Sequence, residues 1–311
     1  MKLAIVVPCY NEQEVLNETA KRLKTKLEAL GDEISKDSKI FFVDDGSTDS
    51  TWEIIKDLSC DTCFEGIKLS RNRGHQNALL AGLMSVKNNF DAVISMDADL
   101  QDDIDAIDKM IASYKAGNDI VYGVRSSRKK DTFFKRTTAV CFYKLMKLLG
   151  AETVYNHADY RLMSRRSLDA LAEFQEVNLF LRGIIPMVGF KSDIVYYERG
   201  ERFAGKSKYP LKKMLSFASE GITSLSIKPI KLILRLGALF CVFGVGILIY
   251  ALVQKFLGNT EAGWTSLMAS IWIVGGMQMV SIGVIGKYIG KIYLETKHRP
   301  KYIIEQNTFK K

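Results

Sequence analysis

The segment AVISMDADLQ, residues 92–101, is an apolar run that ends in two acids. The run is short and partly β-branched, which predicts a buried strand whose carboxyl end emerges into a site. Side chains alternate faces along an extended chain, so Asp97, Asp99 and Gln101 are expected to point the same way. Mg²⁺ favours one or two carboxylates together with substrate phosphates, so these residues are candidate metal ligands. The alternative is that the acids only end the strand and cap a helix over Ile104–Tyr114.

Similar strands alternate with amphipathic helices on both sides of this segment. Apolar throughout, the strands indicate a mostly parallel sheet that is covered on both faces, hence an α/β fold. The expected strands are Leu3–Val7, Ile40–Val43, Ile67–Leu69, Ala92–Met96 and Ile120–Val124, and the expected helices are Glu14–Leu30, Thr51–Leu58, Asn77–Met84, Ile104–Tyr114 and Phe133–Leu149.

Polar residues gather where these strands end, which is where parallel sheets bind their ligands. They are Tyr10, Asp44, Asp45, Arg71, Asp97, Asp99 and Arg125. No glycine-rich fingerprint of the dinucleotide or P-loop type accompanies them, so a nicotinamide enzyme or a nucleotide triphosphatase is disfavoured.

Three segments carry a resemblance to a known family. VVPCYNE (6–12), VDDGSTDST (43–51) and DADLQD (97–102) resemble the signatures of family 2 glycosyltransferases with the GT-A, Rossmann-like fold. The subgroup resembled is the polyprenyl-phosphate hexosyltransferases, which include dolichyl-phosphate mannose synthases and bacterial undecaprenyl-phosphate glucosyltransferases. The resemblance covers nearly the whole chain, because the bacterial subgroup also carries two C-terminal membrane helices.

The resemblance implies a donor site at the first two segments and a metal site at the third. The nucleotide would lie against Asp44 and Asp45, in a pocket lined by Pro8, Tyr10, Glu12 and Arg71. Mg²⁺ or Mn²⁺ would be held by Asp97 and Asp99, with Gln101 as a further ligand, against the donor diphosphate. The alternative for residues 45–47 is a simple turn that caps the helix starting at Thr51.

The lipid acceptor requires cations that can bind a phosphate. Candidates are Arg125, Arg128, Arg136, Arg202 and Lys208, with Arg125 and Arg202 preferred because a guanidinium binds phosphate oxygens in two places. The segment from Arg202 to Lys208 also resembles the family's Arg-any-any-Gly-any-Ser-Lys pattern. Each of these cations could instead be a solvated surface charge.

Asp159 lies in a segment, DYRLM (159–163), that resembles the part of the family supplying an additional catalytic acid. A phosphate monoester is largely a dianion at neutral pH and needs little deprotonation. We therefore expect Asp159 mainly to orient the acceptor or a cation such as Arg161, with a general-base role second. A buried salt bridge to Arg161 or Arg165 is the structural alternative. Of the three histidines, His75 is the one expected near the donor.

Two long uncharged segments, Leu236–Val253 and Ala262–Gly286, are each long enough to cross a bilayer as a helix. Buried core helices are the alternative, but such helices normally show a polar stripe. Cations flank the pair on both sides, whereas the connector 254–261 has only Lys255, so both termini are expected in the cytoplasm. The expected organisation is a catalytic domain at 1–208, a juxtamembrane amphipathic segment at 209–230, two membrane helices within 231–290 and a basic tail at 291–311.

Charge and cysteine content limit the partners and the compartment. The net charge of +9 fits contacts with anionic lipid and phosphate, and no nucleic-acid motif is present. Five cysteines without repeated spacing fit a reducing compartment, and Cys60 and Cys63 form only a lone pair. No cleavable signal peptide is expected, because a strand begins at once. Glycines in the long apolar segments favour close helix contact and homo-oligomerisation.

These observations predict an inverting transferase that moves a hexose from a nucleotide sugar to a polyprenyl phosphate at the cytoplasmic membrane face. The sugar is expected to be glucose and the nucleotide UDP. A processive polysaccharide synthase is a second candidate, disfavoured because the Gln-any-any-Arg-Trp segment is missing, with Arg182 in Phe180-Leu181-Arg182-Gly183 in its place. A membrane scaffold with an inactive transferase-like domain is a third, disfavoured because all the acids are present.

Overall fold

The structure, a computed structural model, describes residues 1–126, 157–177, 180–198, 200, 228–257 and 263–309. The strands are β1 (Leu3–Cys9), β2 (Lys39–Asp44), β3 (Phe64–Leu69), β4 (Ala92–Ser95), β5 (Ile120–Arg125), β6 (His157–Ser164), β7 (Ser192–Tyr197) and β8 (Ile304–Asn307). The helices are α1 (Leu16–Ala29), α2 (Thr51–Leu58), α3 (His75–Val86), α4 (Ala106–Lys115), α5 (Arg165–Ala172), α6 (Leu181–Met187), α7 (Lys228–Phe256) and α8 (Trp264–Thr296).

The described strands form one sheet with the order β7-β5-β6-β4-β1-β2-β3-β8. Strands β1 to β4 are mutually parallel, and β7 is parallel to β5. Strand β6 runs antiparallel between β4 and β5, and β8 runs antiparallel to β3. The predicted mostly parallel α/β sheet is therefore confirmed.

The sheet separates two hydrophobic cores because its apolar strands are buried on both faces. Along β1, Leu3, Ile5 and Val7 pack into one core, while Ala4 and Val6 pack into the other. The first core also contains buried residues of α1, α2 and α4, and the second contains those of α3, α5 and α6. Continuous apolar strands are expected where helices cover both faces of a sheet.

Strand β6 was not predicted as a strand. Its residues alternate between the cores: Tyr160 and Leu162 pack on one face, and Met163 packs on the other. Asp159 and Arg161 lie on the same face as Met163 because side chains alternate along a strand. Both are buried and form an ion pair, so a segment rich in charge lies inside the fold.

The end of α8 contacts the loop after α5, and the residues that follow α8 join the sheet. Both carboxylate oxygens of Glu295 accept hydrogen bonds from the backbone N–H of Val177, at 2.8 and 2.9 Å. Strand β8 then pairs with β3, and the ring of Phe309 packs edge-on against Phe41 with centroids 5.1 Å apart. The segment 291–311, predicted as a basic tail, thus contributes an edge strand and an aromatic side chain to the described fold.

The predicted span Leu236–Val253 lies within α7, and residues 264–286 of the predicted span Ala262–Gly286 lie within α8. In the described part of the chain, one segment, Ile273–Thr296, is long and apolar enough to cross a membrane. Many apolar side chains of both helices are exposed, including Leu234, Val242 and Met279. Apolar surface of this extent marks a partner or a membrane. The juxtamembrane segment 209–227 and the helix predicted over 133–149 lie outside the described residues.

Candidate functional site

The carboxyl ends of the central strands bring the predicted acids together. Strand β1 lies between β2 and β4, with Cys9 opposite Asp44 and Val6 opposite Ser95. Asp97 and Asp99 follow β4 directly. Because neighbouring parallel strands end at the same edge, these residues share one end of the sheet.

Asp97 has the features expected of a cation ligand. Its Oδ1 atom is buried and has no hydrogen-bond partner among the described residues. Burial raises the pKa of Asp97, the charge of His75 opposes this, and the charges of Asp159 and Asp99 raise it further. The contact of His75 with this oxygen offsets part of the cost of burying it, and a bound cation would satisfy the oxygen further.

The second carboxylate, Asp99, lies with Asp97 in residues 97–102 after β4, which we call the acid loop. Oδ1 of Asp99 accepts a 3.2 Å hydrogen bond from the backbone N–H of Gln101, across a turn in which Leu100 has a positive φ of 57°. No three His, Cys, Asp or Glu side chains of the described ranges converge into a complete metal cage. Asp97 and Asp99 supply two carboxylates, and Mg²⁺ commonly takes one or two carboxylates with its other ligands from phosphates and water.

Asp159 is the centre of an ion-pair cluster beside the acid loop. It pairs with Arg161 (Nη2–Oδ1, 2.6 Å) and with Arg182 (Nη2–Oδ2, 3.0 Å). Nε2 of His75 lies 3.6 Å from its Oδ2 and 3.5 Å from Oδ1 of Asp97. His75 therefore bridges the cluster and the candidate metal ligand.

The charges in this cluster act on one another. Burial raises the pKa of Asp159, but the charges of Arg182 and Arg161 and the contact with His75 outweigh burial and hold that pKa well below its usual range. Burial lowers the pKa of His75, while Asp159 and Asp97 raise it, with a net pKa of about 9. An acid that stays ionised in this way is a weak proton acceptor, so the arrangement is suited to holding cations in place.

Arg125, predicted to bind the acceptor phosphate, is held on the other side of the acid loop. Its Nε lies 3.4 Å from the hydroxyl oxygen of Tyr197, at the end of β7. Tyr197 donates a 2.5 Å hydrogen bond to Oδ1 of Asp102, and Nη2 of Arg125 lies 3.9 Å from the same oxygen. Burial and the charge of Asp97 raise the pKa of Asp102 to about 6. The hydroxyl group of Tyr197 thus links Arg125 to Asp102 of the acid loop.

Asp44 and Asp45, predicted at the nucleotide, have different surroundings. Asp45 accepts hydrogen bonds from the backbone N–H groups of Arg73 (2.7 Å) and Gly74 (2.8 Å), so it fixes the loop before α3. Asp44 accepts one from the N–H of Ser47, while its buried Oδ2 has no partner among the described residues. Burial raises the pKa of both acids. Asp44 therefore has the unsatisfied acceptor, and Asp45 shapes the pocket.

The other predicted pocket residues lie in loops that are tied together. Tyr10 is 40% exposed at the end of β1, where a ligand can reach its ring. The backbone N–H of Glu12 donates to Thr51 Oγ1 at 2.9 Å, which joins the first loop to the start of α2. Gly46 has a positive φ of 67°, and a Cβ there would lie 2.6 Å from the backbone nitrogen of Asn72. This close approach brings the loop containing Arg71 against the turn after β2.

The remaining predicted residues are placed as follows. Pro8 lies within β1, at the position opposite Val43 of β2. The predicted phosphate contacts Arg128, Arg136, Arg202 and Lys208 lie outside the described residues.

Three residues of the site were not assigned a role from the sequence: Arg182, Asp102 and Tyr197. The two partners of Asp102, Tyr197 and Arg125, lie 95 and 23 positions along the chain from it, and no local pattern joins them. The run of β-branched and aromatic residues Ile194–Tyr197 was the available signal for β7, whose last residue is Tyr197.

Comparison with known proteins gives matches to both parts of the chain. The sequence model described as "Glycosyl transferase family 2" matches residues 4–172, and that described as "GtrB C-terminal hairpin" matches residues 228–292. The Bacillus subtilis (strain 168) protein "Uncharacterized glycosyltransferase YkoT" is 57% identical over 310 residues, covering 97% of this chain and 91% of the relative. The "Bactoprenol glucosyl transferase" of Shigella phage SfV is 40% identical over 311 residues, covering 98% of each chain.

Among solved structures, the similarity is more distant. Glucosyl-3-phosphoglycerate synthase from Mycobacterium tuberculosis, in complex with Mn²⁺, UDP-glucose and phosphoglyceric acid, aligns with a TM-score of 0.47 at 15% identity. The alignment covers 72% of this chain and 78% of that chain.

Proposed function

This chain belongs to glycosyl transferase family 2 and is a glycosyltransferase, and we propose that it moves glucose from UDP-glucose to undecaprenyl phosphate. The resemblance noted in the sequence is confirmed at the level of the family. The lipid acceptor is proposed because relatives about 40% identical over nearly the full length are named bactoprenol glucosyl transferases. We further assign the sheet to the GT-A type, as this family implies.

The observation that carries the proposal is the pair of carboxylates Asp97 and Asp99 after β4, where the buried Oδ1 of Asp97 accepts no hydrogen bond in the described residues and has Nε2 of His75 3.5 Å away. In the proposal these two acids, with Gln101, hold Mg²⁺ or Mn²⁺. The ion would neutralise charge that builds up on the departing nucleoside diphosphate. Asp44, Tyr10 and the loop held by Asp45 would bind the nucleoside.

The chain's own residues would align the two substrates for direct displacement. An oxygen of the lipid phosphate attacks the anomeric carbon, a new C–O bond forms, and the bond to the diphosphate breaks with inversion. Arg125 would bind the acceptor phosphate from its position beside Tyr197 and Asp102. Asp159 would act by orientation, since its paired arginines keep it ionised and the attacking phosphate needs no general base.

We propose that α7 and α8 cross the membrane as a hairpin, with the catalytic domain and both termini on the cytoplasmic side. Three observations support this arrangement: the match to a C-terminal hairpin family over residues 228–292, the apolar length of Ile273–Thr296, and the cations on either side of the pair. The glycines of these helices support close helix contact, and hence a homo-oligomer.

The proposal is tested with the purified full chain, Mg²⁺, radiolabelled nucleotide sugars and undecaprenyl phosphate. Label from UDP-glucose that partitions into organic solvent as a short lipid product supports it. Label in a polymer would instead favour a processive synthase. Absence of transfer from every donor would favour a non-catalytic scaffold.

A further inference from the structure

Arg182 lies at the start of α6 and faces the buried acid of the site. Its Nε lies 3.3 Å from Oδ1 of Asp159, and its Nη2 lies 3.0 Å from Oδ2. Two contacts of this kind fix the plane of a guanidinium as well as its position. The side chain of Arg182 is nevertheless 32% exposed, whereas that of Asp159 is 7% exposed. The arginine therefore faces the open side of the cluster.

The need to neutralise the charge of Asp159 does not by itself explain why a second arginine, Arg182, contacts it. Arg161 already pairs with the same carboxylate at 2.6 Å and is 1% exposed, so it supplies a buried countercharge. His75 adds a further cationic contact on Oδ2 at 3.6 Å. Because Asp159 already has this buried countercharge, the partly exposed guanidinium of Arg182 is placed to meet a ligand as well as to pair with the acid.

The start of α6 is anchored from three directions. The backbone N–H of Leu181 donates a 2.9 Å hydrogen bond to Oε1 of Gln76, which follows His75 in α3. Leu181, Ile184 and Ile185 are buried in the second core. The preceding segment is held at Val177 by Glu295 of α8. Arg182 is therefore presented by a rigid element, as a binding group must be to act without reorganisation.

The cluster also places Arg182 near the candidate metal ligand. Asp159 contacts both Arg182 and His75, and His75 Nε2 lies 3.5 Å from Asp97. The anionic groups expected beside Asp97 are phosphates. A guanidinium whose plane is fixed matches phosphate oxygens better than an ammonium does.

We propose that Arg182 binds a phosphate oxygen of a substrate in the transfer site, and that Asp159 is its positioning residue. This inference rests on the proposed function. The phosphate belongs either to the donor diphosphate or to the lipid acceptor, which present the same chemistry.

The test compares Arg182→Gln and Arg182→Lys with the matched control Arg166→Gln in the full chain. Arg166 also contacts an aspartate, Asp119, through both Nε and Nη2, but it lies at the opposite end of β6 from Asp159. We measure KM for UDP-glucose, KM for undecaprenyl phosphate, kcat and thermal stability. Binding of UDP and of uridine is measured separately, because uridine has no phosphate.

We expect Arg182→Gln to raise one of the two KM values by about 10- to 100-fold, as for the loss of a charge-assisted hydrogen bond. Arg182→Lys should give a smaller rise, and Arg166→Gln none. If the KM for UDP-glucose rises and UDP binds more weakly while uridine binding is unchanged, Arg182 contacts the donor diphosphate. If only the KM for undecaprenyl phosphate rises, Arg182 contacts the acceptor phosphate.

Unchanged KM values in Arg182→Lys, or in a folded Arg182→Gln, would overturn the inference. So would equal weakening of uridine and UDP binding, which a structural role alone predicts. Failure of the proposed function itself has a different signature, because wild-type protein would then transfer no sugar to lipid.

Discussion

The carboxylate of Asp45 accepts a 2.8 Å hydrogen bond from the backbone N–H of Gly74, 29 positions along the chain. Its other oxygen accepts one from Arg73, so a single side chain holds the turn that precedes α3. Gly74 has a positive φ of 87° and lies immediately before His75, which contacts two acids of the site. Asp45, which follows β2, therefore sets the position of His75, which lies beside Asp97 after β4.

Asp45→Asn should weaken this turn, because an amide oxygen accepts less strongly than a carboxylate and only one amide oxygen is present. Hydrogen bonds to charged groups contribute about 1.5–3 kcal/mol each. We expect lower thermal stability and a raised KM for the nucleotide sugar. Asp57→Asn, at an exposed position of α2, is the control and should change neither value. Unchanged stability in Asp45→Asn would argue against this anchoring role.

Gly46→Ala should damage the donor pocket through the backbone. The positive φ of 67° and the 2.6 Å approach of a Cβ to the nitrogen of Asn72 both oppose a side chain. We expect a loss of about 2 kcal/mol or more in the free energy of unfolding. Gly31→Ala is a matched control: its φ is 48°, but a Cβ there meets nothing within 4 Å. Thermal unfolding of the two variants separates the cost of the steric clash from the cost of the positive φ. Equal losses of stability in the two variants would show that the clash contributes nothing.

Asp99→Asn should remove metal-dependent turnover while the fold remains. A proposed ligand of the ion is lost, so we expect kcat/KM to fall by more than about 100-fold. Mn²⁺ binding is followed by electron paramagnetic resonance, and folding by circular dichroism. Asp105→Asn is the control, since Asp105 lies in the same loop region but is exposed and pairs with Lys26. Full activity of Asp99→Asn would exclude the metal role of this residue.

Cys9 should resist alkylation in the native protein. Burial raises the pKa of the Cys9 thiol well above its usual value, so the reactive thiolate is scarce at neutral pH. Cys60 is exposed on the surface. We expect brief treatment with N-ethylmaleimide at pH 7 to label Cys60 and spare Cys9, as read by peptide mass spectrometry. Denaturant should make Cys9 reactive, and rapid labelling without denaturant would contradict its burial.

Phe309→Ala should loosen the edge of the sheet. The ring packs against Phe41 and Phe90, so its loss removes apolar burial worth about 1–3 kcal/mol. We expect a lower midpoint of thermal unfolding and faster hydrogen exchange in β3. Gln306→Ala, at an exposed position of β8, is the control and should leave both unchanged. Native exchange rates in Phe309→Ala would show that the ring of Phe309 does not hold β8 against β3.

Much of the fold follows from local pattern. The strands before the acids are apolar runs, and the predicted helix Thr51–Leu58 has the same bounds in the structure. β6 was missed because its charged residues are buried in pairs rather than solvated. β8 was missed because its side chains are exposed, and it is a strand only through its pairing with β3.

The site was predictable where one strand end determines it and unpredictable where distant segments meet. Asp97 and Asp99 follow β4 in sequence, so their location needed only the strand. The pairing of Asp159 with Arg182, and the use of Asp45 to hold residues 73 and 74, depend on where loops return in space. No repeating pattern in the sequence predicts these contacts between distant loops.

The pairing of β3 with β8 has a consequence for biosynthesis. Ribosomes make Phe64–Leu69 early and Ile304–Asn307 only after both long helices have been synthesised. Until then the outer backbone groups of Phe64–Leu69 are open to other nascent chains. On the ribosome, the sheet of the transferase domain therefore lacks β8. The sheet is completed only after the two long helices have been translated.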